Sequence, residues 1–318
     1  LAASGLILLG AIPAAVLSLL GFFGGWWWVF DLAAAFRVQY AVVLTLAAAL
    51  LLVVRARRSA LAIAVVAILN GVVVAPLWLG VPVPGAEGAT LRVHFHNVHG
   101  GGDERFAEVA RELASSDADV VFLSEVSARW IELFGGAELP YTIVHPLRVE
   151  DHRRLLALTR IPIDGVEAVP LVAGSRSGGI AVDLTLGGRP LRMLALHAQS
   201  PRDARSAALH DAEVTAVGEW VTAQDVPVAI VGDLNATAWS HPLRRLRRAT
   251  GLRDSQHGFG LQPTWMEGAG PLMVPLDHVL HDAGVTVLDR STGPALGSSH
   301  RSLQATLARP AESEARMR

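Results

Sequence analysis

The stretch Val226-Pro227-Val228-Ala229-Ile230-Val231-Gly232-Asp233-Leu234-Asn235 closes an apolar run with a glycine, an acid and an amide. A short aliphatic run bounded by a turn residue reads as a strand buried on both faces. Asp233 and Asn235 then stand in the loop that the strand delivers, where a carboxylate and an amide two positions apart can bind metal, water or phosphate oxygen together. The same design recurs along the chain. Residues 91–95 lead to Asn97, residues 120–123 to Glu125, and residues 191–196 to His197. Downstream, Leu276-Asp277-His278-Val279-Leu280 carries another acid, and Gly297-Ser298-Ser299-His300 precedes the amphipathic run 303–307. Oxygen and imidazole donors at successive strand ends suit metal-assisted hydrolysis of a phosphoester, since Mg2+ prefers carboxylate, amide carbonyl and water oxygens.

Composition narrows the setting. The chain has 318 residues and is 51% hydrophobic, with a mean hydropathy of +0.39, above an ordinary soluble protein. Cysteine is absent, which excludes disulfide frameworks and thiolate metal sites. Lysine is absent too, so arginine supplies all the permanent positive charge. A formal net charge of -2 predicts no general attraction to nucleic acid.

The apolar excess sits at the front. Residues 6–23, 38–54 and 61–79 each approach the roughly 20 residues that a helix needs to cross a bilayer, and Asn70 interrupts the third. Trp26-Trp27-Trp28, Asp31 and Arg37 fill the first connection, as in an interfacial aromatic belt, and Arg55, Arg57 and Arg58 fill the second. Arginine-rich short loops stay in the cytoplasm, so the third span exits outward and the chain beyond about Val81 faces the outside. A cleaved signal peptide followed by a buried helical hairpin is the competing reading, but a signal peptide has one apolar core where this region has three. Pro82, Pro84, Gly85 and Gly88 mark a linker. The expected organisation is a three-span anchor at 1–80, a linker at 81–89, a mixed domain at 90–309 and a polar tail at 310–318. Such a protein is multi-pass in the cell membrane, with the bilayer as its partner and its domain extracytoplasmic. No obligate protein partner is readable.

Within the domain, strands and helices alternate. Residues 103–115 place Phe106, Val109, Ala110 and Leu113 on one helical face. Residues 179–186 and 190–196 form a hairpin pattern around Gly187-Gly188-Arg189. Ser200 and Pro201 open a long helix to about Ala223, with serine as its N-cap, and Ser240 and Pro242 open another through Leu246. Paired strands flanked by helices suggest an α/β sandwich with active groups on the loops at one end.

Taken in order, HNVHGG with Asn97, DVVFLSEV with Glu125, LALHAQSP with His197, GDLNA with Asp233 and Asn235, PLDHVL with Asp277 and GSSHRSL with His300 follow the endonuclease/exonuclease/phosphatase family. The chain resembles the bacterial branch that places a few N-terminal spans before that domain, and the resemblance covers residues 90–308. It implies a four-layer α/β sandwich of two packed β-sheets flanked by helices, here preceded by three transmembrane helices. It also implies a divalent-metal phosphoester hydrolase using Mg2+ or Mn2+. By the same resemblance Glu125 is the principal metal ligand with Asn97 beside it, and Asp233 orients the attacking water or a metal. Asn235 holds a phosphate oxygen. His300, oriented by Asp277, is the base or the phosphate-stabilising cation, and His197 protonates the leaving oxygen or binds the phosphate. One position departs: Ser299 stands where the family usually has a metal-ligand aspartate, and a hydroxyl is a poorer Mg2+ ligand than a carboxylate.

Other readings compete at individual positions. Asn97 and Glu125 have capping roles available, Asp233 a turn role, and Asp277 an arginine partner. His94, His96 and His99 suggest a zinc site, because alternate residues share a strand face. Arg244, Arg245, Arg247 and Arg248 offer a site for anionic headgroups or a solvated helix face. Thr264-Trp265 offer a substrate wall, with an aromatic core residue as the default reading. Two function classes remain. One is an outward-facing hydrolase acting on nucleic acid, a lipid headgroup or a small phosphoester; the other is a noncatalytic membrane receptor for a phosphorylated ligand or partner.

Overall fold

The computed structural model describes residues 3–80, 89–99, 103–147, 154–173, 175 and 177–310. The expected linker, apart from Ala89, and the tail beyond Pro310 lie outside the described residues. Five helices come first: α1 (Ala3–Leu20), α2 (Trp28–Ala34), α3 (Arg37–Val53), α4 (Arg57–Val74) and α5 (Pro76–Leu79). Small side chains of α1, α3 and α4, among them Ala11, Ala15, Ala47, Ala48, Ala60 and Ala67, fill the seam between them and let the backbones approach. Leu9, Leu46, Leu61 and Ile68 point outward and are exposed.

Of the three expected transmembrane segments, two are continuous helices and the third is bent. Two helices, Ala3–Phe23 and Arg57–Val74, are long and apolar enough to cross a bilayer. The middle segment reaches that standard only as the pair α2 and α3, which meet at 64°. Polar anchoring accompanies the bend. The buried Arg37 guanidinium at the start of α3 donates to Ser18 O (2.7 Å) and Asn70 Oδ1 (3.0 Å), beneath the Phe22 ring. Asn70 in turn donates to Ser18 Oγ at 3.1 Å, so one polar cluster ties α1, α3 and α4.

After the helices come β1 (Thr90–Asn97), α6 (Asp103–Ser115), β2 (Val120–Val126), α7 (Ala128–Gly136), β3 (Thr142–Leu147), β4 (Arg154–Thr159), β5 (Gly165–Pro170), β6 (Gly178–Leu186) and β7 (Arg189–His197). The rest is α8 (Ala204–Thr222), β8 (Val228–Asp233), α9 (His241–Thr250), β9 (Arg253–Asp254), β10 (Asp277–His281), β11 (Thr286–Thr292) and β12 (Leu303–Ala308). They form two six-stranded mixed sheets, ordered β11-β12-β1-β2-β4-β3 and β5-β6-β7-β8-β10-β9. Strand alternation explains the layering. Leu91, Val93, Phe95, Val120 and Phe122 from the first sheet meet Ile180, Val182, Met193, Ala229 and Val231 from the second in one core. Val121 and Leu123 face the other way, onto Val109 and Leu113 of α6 and Trp130 and Phe134 of α7. Leu194, Leu196 and Ile230 likewise face Val214 and Val217 of α8 and Leu243 and Leu246 of α9. Helices therefore cover both outer faces, and the central strands are apolar on both sides.

Local signals fare unevenly. Gly187 (φ 60°) and Gly188 (φ 76°) make the two-residue turn between β6 and β7. Ser240 caps α9, which runs on to Thr250. The expected cap of α8 moves from Ser200 to Asp203, whose carboxylate accepts the Ser206 N–H at 2.7 Å while Ser206 Oγ accepts the Asp203 N–H at 2.9 Å. That reciprocal box satisfies two helix-end donors at once, which Ser200-Pro201 cannot.

The helical segment rests on the domain. Gln39 Nε2 donates to Pro271 O and Met273 O, both at 3.0 Å, and the Gly260 N–H donates to Leu77 O at 2.7 Å. Ala34, Val74 and Leu77 pack with Ala238 and Trp239. Asp31 Oδ1 accepts the His241 N–H at 2.6 Å, at the positive end of α9.

Candidate active site

Two parallel strand pairs deliver the polar side chains to one rim. β1 and β2 run parallel and end at Asn97 and Glu125; β7 and β8 run parallel and end at His197 and Asp233, which are direct partners. β10 runs antiparallel to β8 and sets Asp277 opposite Asp233. Asn97 Nδ2 donates to Glu125 Oε1 (3.2 Å) and to Asp233 Oδ2 (3.0 Å), joining the two sheets across their open edge. His300 enters from the loop before β12, with Nδ1 3.0 Å from Asp277 Oδ2 and Nε2 3.6 Å from Asp233 Oδ2. His197 Nε2 lies 3.5 Å from Asp233 Oδ2 and 3.7 Å from Glu125 Oε1. Asn235 lies on the rim, its Nδ2 donating to Ala198 O at 2.8 Å and its N–H to Asp233 Oδ1 at 2.9 Å. The candidate residues read from the sequence are thus gathered within one cluster.

Backbone geometry supports this gathering. Gly232 sits at φ 156°, and a Cβ there would stand 1.9 Å from Leu196 O, so only glycine lets β8 lie this close to β7. Glu125 (φ 58°), Asn235 (φ 47°) and His99 (φ 48°) are non-glycine residues in the left-handed region, a costly conformation that clusters at functional sites. The loop after Asp233 is pinned by His210, bonded to Leu234 O at 2.9 Å, and by His278, bonded to Ala236 O at 2.8 Å.

Burial and charge oppose each other here. Burial pushes the Asp233 carboxyl up, but His300, His197, the Asn235 N–H and the Asn97 amide together hold it below the ordinary carboxylate range. Burial pulls the His300 imidazole down, and the nearby Asp277, Asp233 and Glu125 carboxylates override it, raising it to about 9. His300 is therefore a cation at neutral pH.

Several groups come from outside the expected set. His99 Nδ1 lies 3.2 Å from Glu125 Oε2; its place two residues after Asn97 was the available signal. Ser298 Oγ donates to Asn97 O (2.6 Å) and accepts the His300 N–H (3.1 Å), holding both loops. His96 Nε2 bonds His300 O at 3.1 Å from behind. A cavity of about 880 Å³ opens over the cluster, lined by Glu125, His197, Asp233, Asn235, Ser299 and His300 and also by Trp26, Trp27 and Trp28. Trp265 lines it too, with its ring centroid 6.5 Å from that of His300, which favours the wall reading of this residue over the core default.

The competing readings resolve on geometry. Ser127, and not Glu125, caps α7. Arg290 reaches the Asp277 carbonyl at 3.4 Å, leaving the Asp277 carboxylate to His300. His94 and His96 are fully buried, and burial lowers them to about 3 and about 4, so they are neutral framework residues. Among the described residues, the group whose possible metal-ligand atoms all lie within 4.8 Å of one another is Asp233, Asp277 and His300, and His94, His96 and His99 form no such group. Arg245 is paired with Asp211 at 2.9 Å.

The donors suit a hard divalent cation. Glu125 and Asp233 bring carboxylate oxygens to either side of the Asn97 Nδ2, and the buried Asp277 Oδ1 has no hydrogen-bond partner. Carboxylate oxygens are what Mg2+ and Mn2+ take, and no sulfur competes.

Solved structures share this architecture. A humanized D. rerio TDP2 superposes with a TM-score of 0.60 at 18% identity, covering 69% of this chain and 98% of that one. An endonuclease/exonuclease/phosphatase from Beutenbergia cavernae gives 0.56 at 19% identity, covering 70% and 72%. The human Nocturnin catalytic domain with bound sulfate gives 0.56 at 14% identity, covering 70% and 94%. At such identities the likeness shows the fold. No curated protein matches the sequence. The family model described as the endonuclease/exonuclease/phosphatase family matches residues 95–300, from within β1 to the last histidine of the cluster, and the chain belongs to that family.

Proposed function

We propose that the protein is a membrane-anchored, divalent-metal-dependent phosphoester hydrolase with its catalytic domain outside the cytoplasm. The observation that carries the reading is the Asn97 amide bridging Glu125 and Asp233, beside a His300 held between Asp233 and Asp277. Mg2+ or Mn2+ held by Glu125 and Asp233, with Asn97 beside them, supplies charge neutralisation on the phosphate and a more acidic water. Asp233 orients the attacking water and stays ionised to do so. His300, fixed by Asp277, faces the negative charge that develops on phosphorus. Asn235 holds a nonbridging oxygen, and His197 passes a proton to the leaving oxygen.

Residues 1–80 form the anchor in this reading, 81–89 the linker, 90–309 the domain and 310–318 the tail. Exposed leucine and isoleucine on the outer faces of α1, α3 and α4 support a lipid-facing surface. The arginines at 55, 57 and 58 join α3 to α4 at the end away from the Trp26–Trp28 connection, which favours the cytoplasm for that turn. The bilayer is one partner and a phosphoester the other. The D. rerio TDP2 complex with a single-strand DNA product supports phosphodiesters as a substrate class.

The test uses the full chain in detergent micelles with bis(p-nitrophenyl) phosphate. Turnover is expected with Mg2+ or Mn2+ and is lost on chelation, and Glu125→Ala lowers it by roughly 10³-fold. No hydrolysis of any phosphoester, together with no metal binding by calorimetry, ends the reading. Ser299 favours a second one, a noncatalytic receptor for a phosphorylated ligand, because a hydroxyl lines the cavity where the family usually has a carboxylate. Ser299→Asp separates the two: a hydrolase keeps or gains turnover, and a receptor gains none.

A further inference from the structure

The cavity over the carboxylates is not built by the domain alone. Its lining includes residues 24–28 and also Asp31, Leu32, Ala35 and Phe36, all from the connection between α1 and α3. This connection follows α1, which is apolar enough to span a bilayer, and includes α2, which meets that standard only together with α3; in it Trp26 is 82% and Trp27 51% exposed. Exposed tryptophans between membrane helices settle at the headgroup level. With Trp26–Trp28 at a bilayer surface in the proposed anchoring, the part of the cavity they line stands at the level of the lipid phosphates.

The rest of the lining agrees. Val274 and Leu276 continue the apolar surface on the domain side. Gln39 ties residues 271 and 273 to α3, which keeps the exposed Leu272 beside the helical segment. A nucleic-acid channel asks for a basic stripe tracking the backbone. Here the cations of the cavity are His300, Arg202 and Arg245, the last already paired with Asp211, set against Asp31, Glu125 and Asp233.

We infer that the helical segment is part of the substrate site, and that the substrate is a membrane phosphoester whose alcohol carries a long apolar chain. The phosphate reaches Glu125, Asp233 and His300, and the chain lies along Trp27, Leu32 and Phe36. This rests on the hydrolase reading and narrows it. In the reaction, the oxygen of one water forms a bond to phosphorus as the P–O bond to one alcohol breaks. One water proton ends on the departing alcohol, and the products are that alcohol and a phosphate with one ester fewer.

The full chain in mixed micelles distinguishes this from other substrates. Two matched pairs differ only in acyl chains: phosphatidylglycerol against glycerophosphoglycerol for diesters, and phosphatidate against glycerol phosphate for monoesters. In at least one pair, kcat/KM for the acylated member is expected to exceed its partner by roughly 100-fold, since burying even a few methylenes is worth a factor of ten or more. Trp27→Ala and Phe36→Ala should each reduce that ratio by about tenfold, mainly through KM. Cleavage of bis(p-nitrophenyl) phosphate or an oligonucleotide with no acyl preference overturns the inference and leaves the hydrolase standing. No turnover and no Mn2+ binding sinks both. A second readout needs no turnover: tryptophan emission of the Glu125→Ala chain, quenched by a bromoacyl phosphatidate. Relief by unlabelled phosphatidate but not by diacylglycerol supports the site, and equal relief by both overturns it.

Discussion

On the floor of the cavity, Glu125, Asp233 and Asp277 are locked to Asn97 and His300 by contacts of 3.0 to 3.2 Å, while the part contributed by the helical segment is largely aromatic and aliphatic. The floor is directional: each group there sets the charge or the tautomer of another, and removing one strands its neighbours. An apolar wall is additive and tolerant, and its losses scale with the area removed. The difference teaches where chemistry and selection reside. On the proposed reading, turnover belongs to strand ends fixed by two sheets, and choice of substrate to a connection between helices.

The sharpest break of that comparison is Asp277→Asn. It leaves the shape of the floor but takes the negative charge from behind His300, and kcat is expected to fall roughly 10²- to 10⁴-fold for every substrate, soluble or acylated. A fall confined to one substrate class would show that floor and wall are not separable. Gly232→Ala comes next. Its Cβ meets Leu196 O at 1.9 Å, so β8 has to leave β7 and stability drops by about 3 kcal/mol or more. Chemical denaturation of the chain in micelles measures it.

Acid acts on the framework beneath the floor. His94 and His96 have folded-state values of about 3 and about 4, below the unfolded value of about 6.5. The unfolded chain therefore binds more protons as pH falls from 6.5 toward 4, and stability is lost in that window by up to about 1.4 kcal/mol per pH unit for each histidine. His300 has the opposite sign: raised to about 9, it adds stability below pH 6.5 that is lost as pH rises through 9. Denaturation midpoints at pH 6 and 5 check the acid limb, and His94→Leu should remove about half of its slope. The smallest effect belongs to the wall. Asp31→Ala strips the acceptor from the His241 N–H at the head of α9 and should cost about 1 to 2 kcal/mol, read as a lower melting temperature. If it unfolds the domain instead, the helical segment is as directional as the floor.

Some of this was legible residue by residue. The runs ending at Asn97, Glu125, His197 and Asp233 were apolar enough on both faces to read as central strands, and the end of such a strand is where a polar side chain reaches an open rim. β3 and β5 carried no comparable signal: β5 is mostly exposed and β3 contains a proline, so burial did not stamp a pattern on them. The cap of α8 was misplaced because Ser200-Pro201 and Asp203 both look like helix starts, and only the reciprocal bond with Ser206 chooses between them. Trp265 looked like core because aromatic residues usually are; its place against His300 depends on where residues 264–274 cross the sheet end.

The sequence by itself determined the elements whose signal is local: apolar front helices, buried strands, the glycine before Asp233, and the order of acids and histidines. Tertiary structure alone decided what meets across long separations. Asn97 touches Asp233 136 positions away, His300 is held by Asp277 on another strand, and the tryptophans at 26–28 line the cavity of a domain that begins more than sixty residues later. The reason is physical. Periodicity records which face of an element is buried, whereas contacts between distant segments depend on how sheets and helices stack, which no single segment encodes.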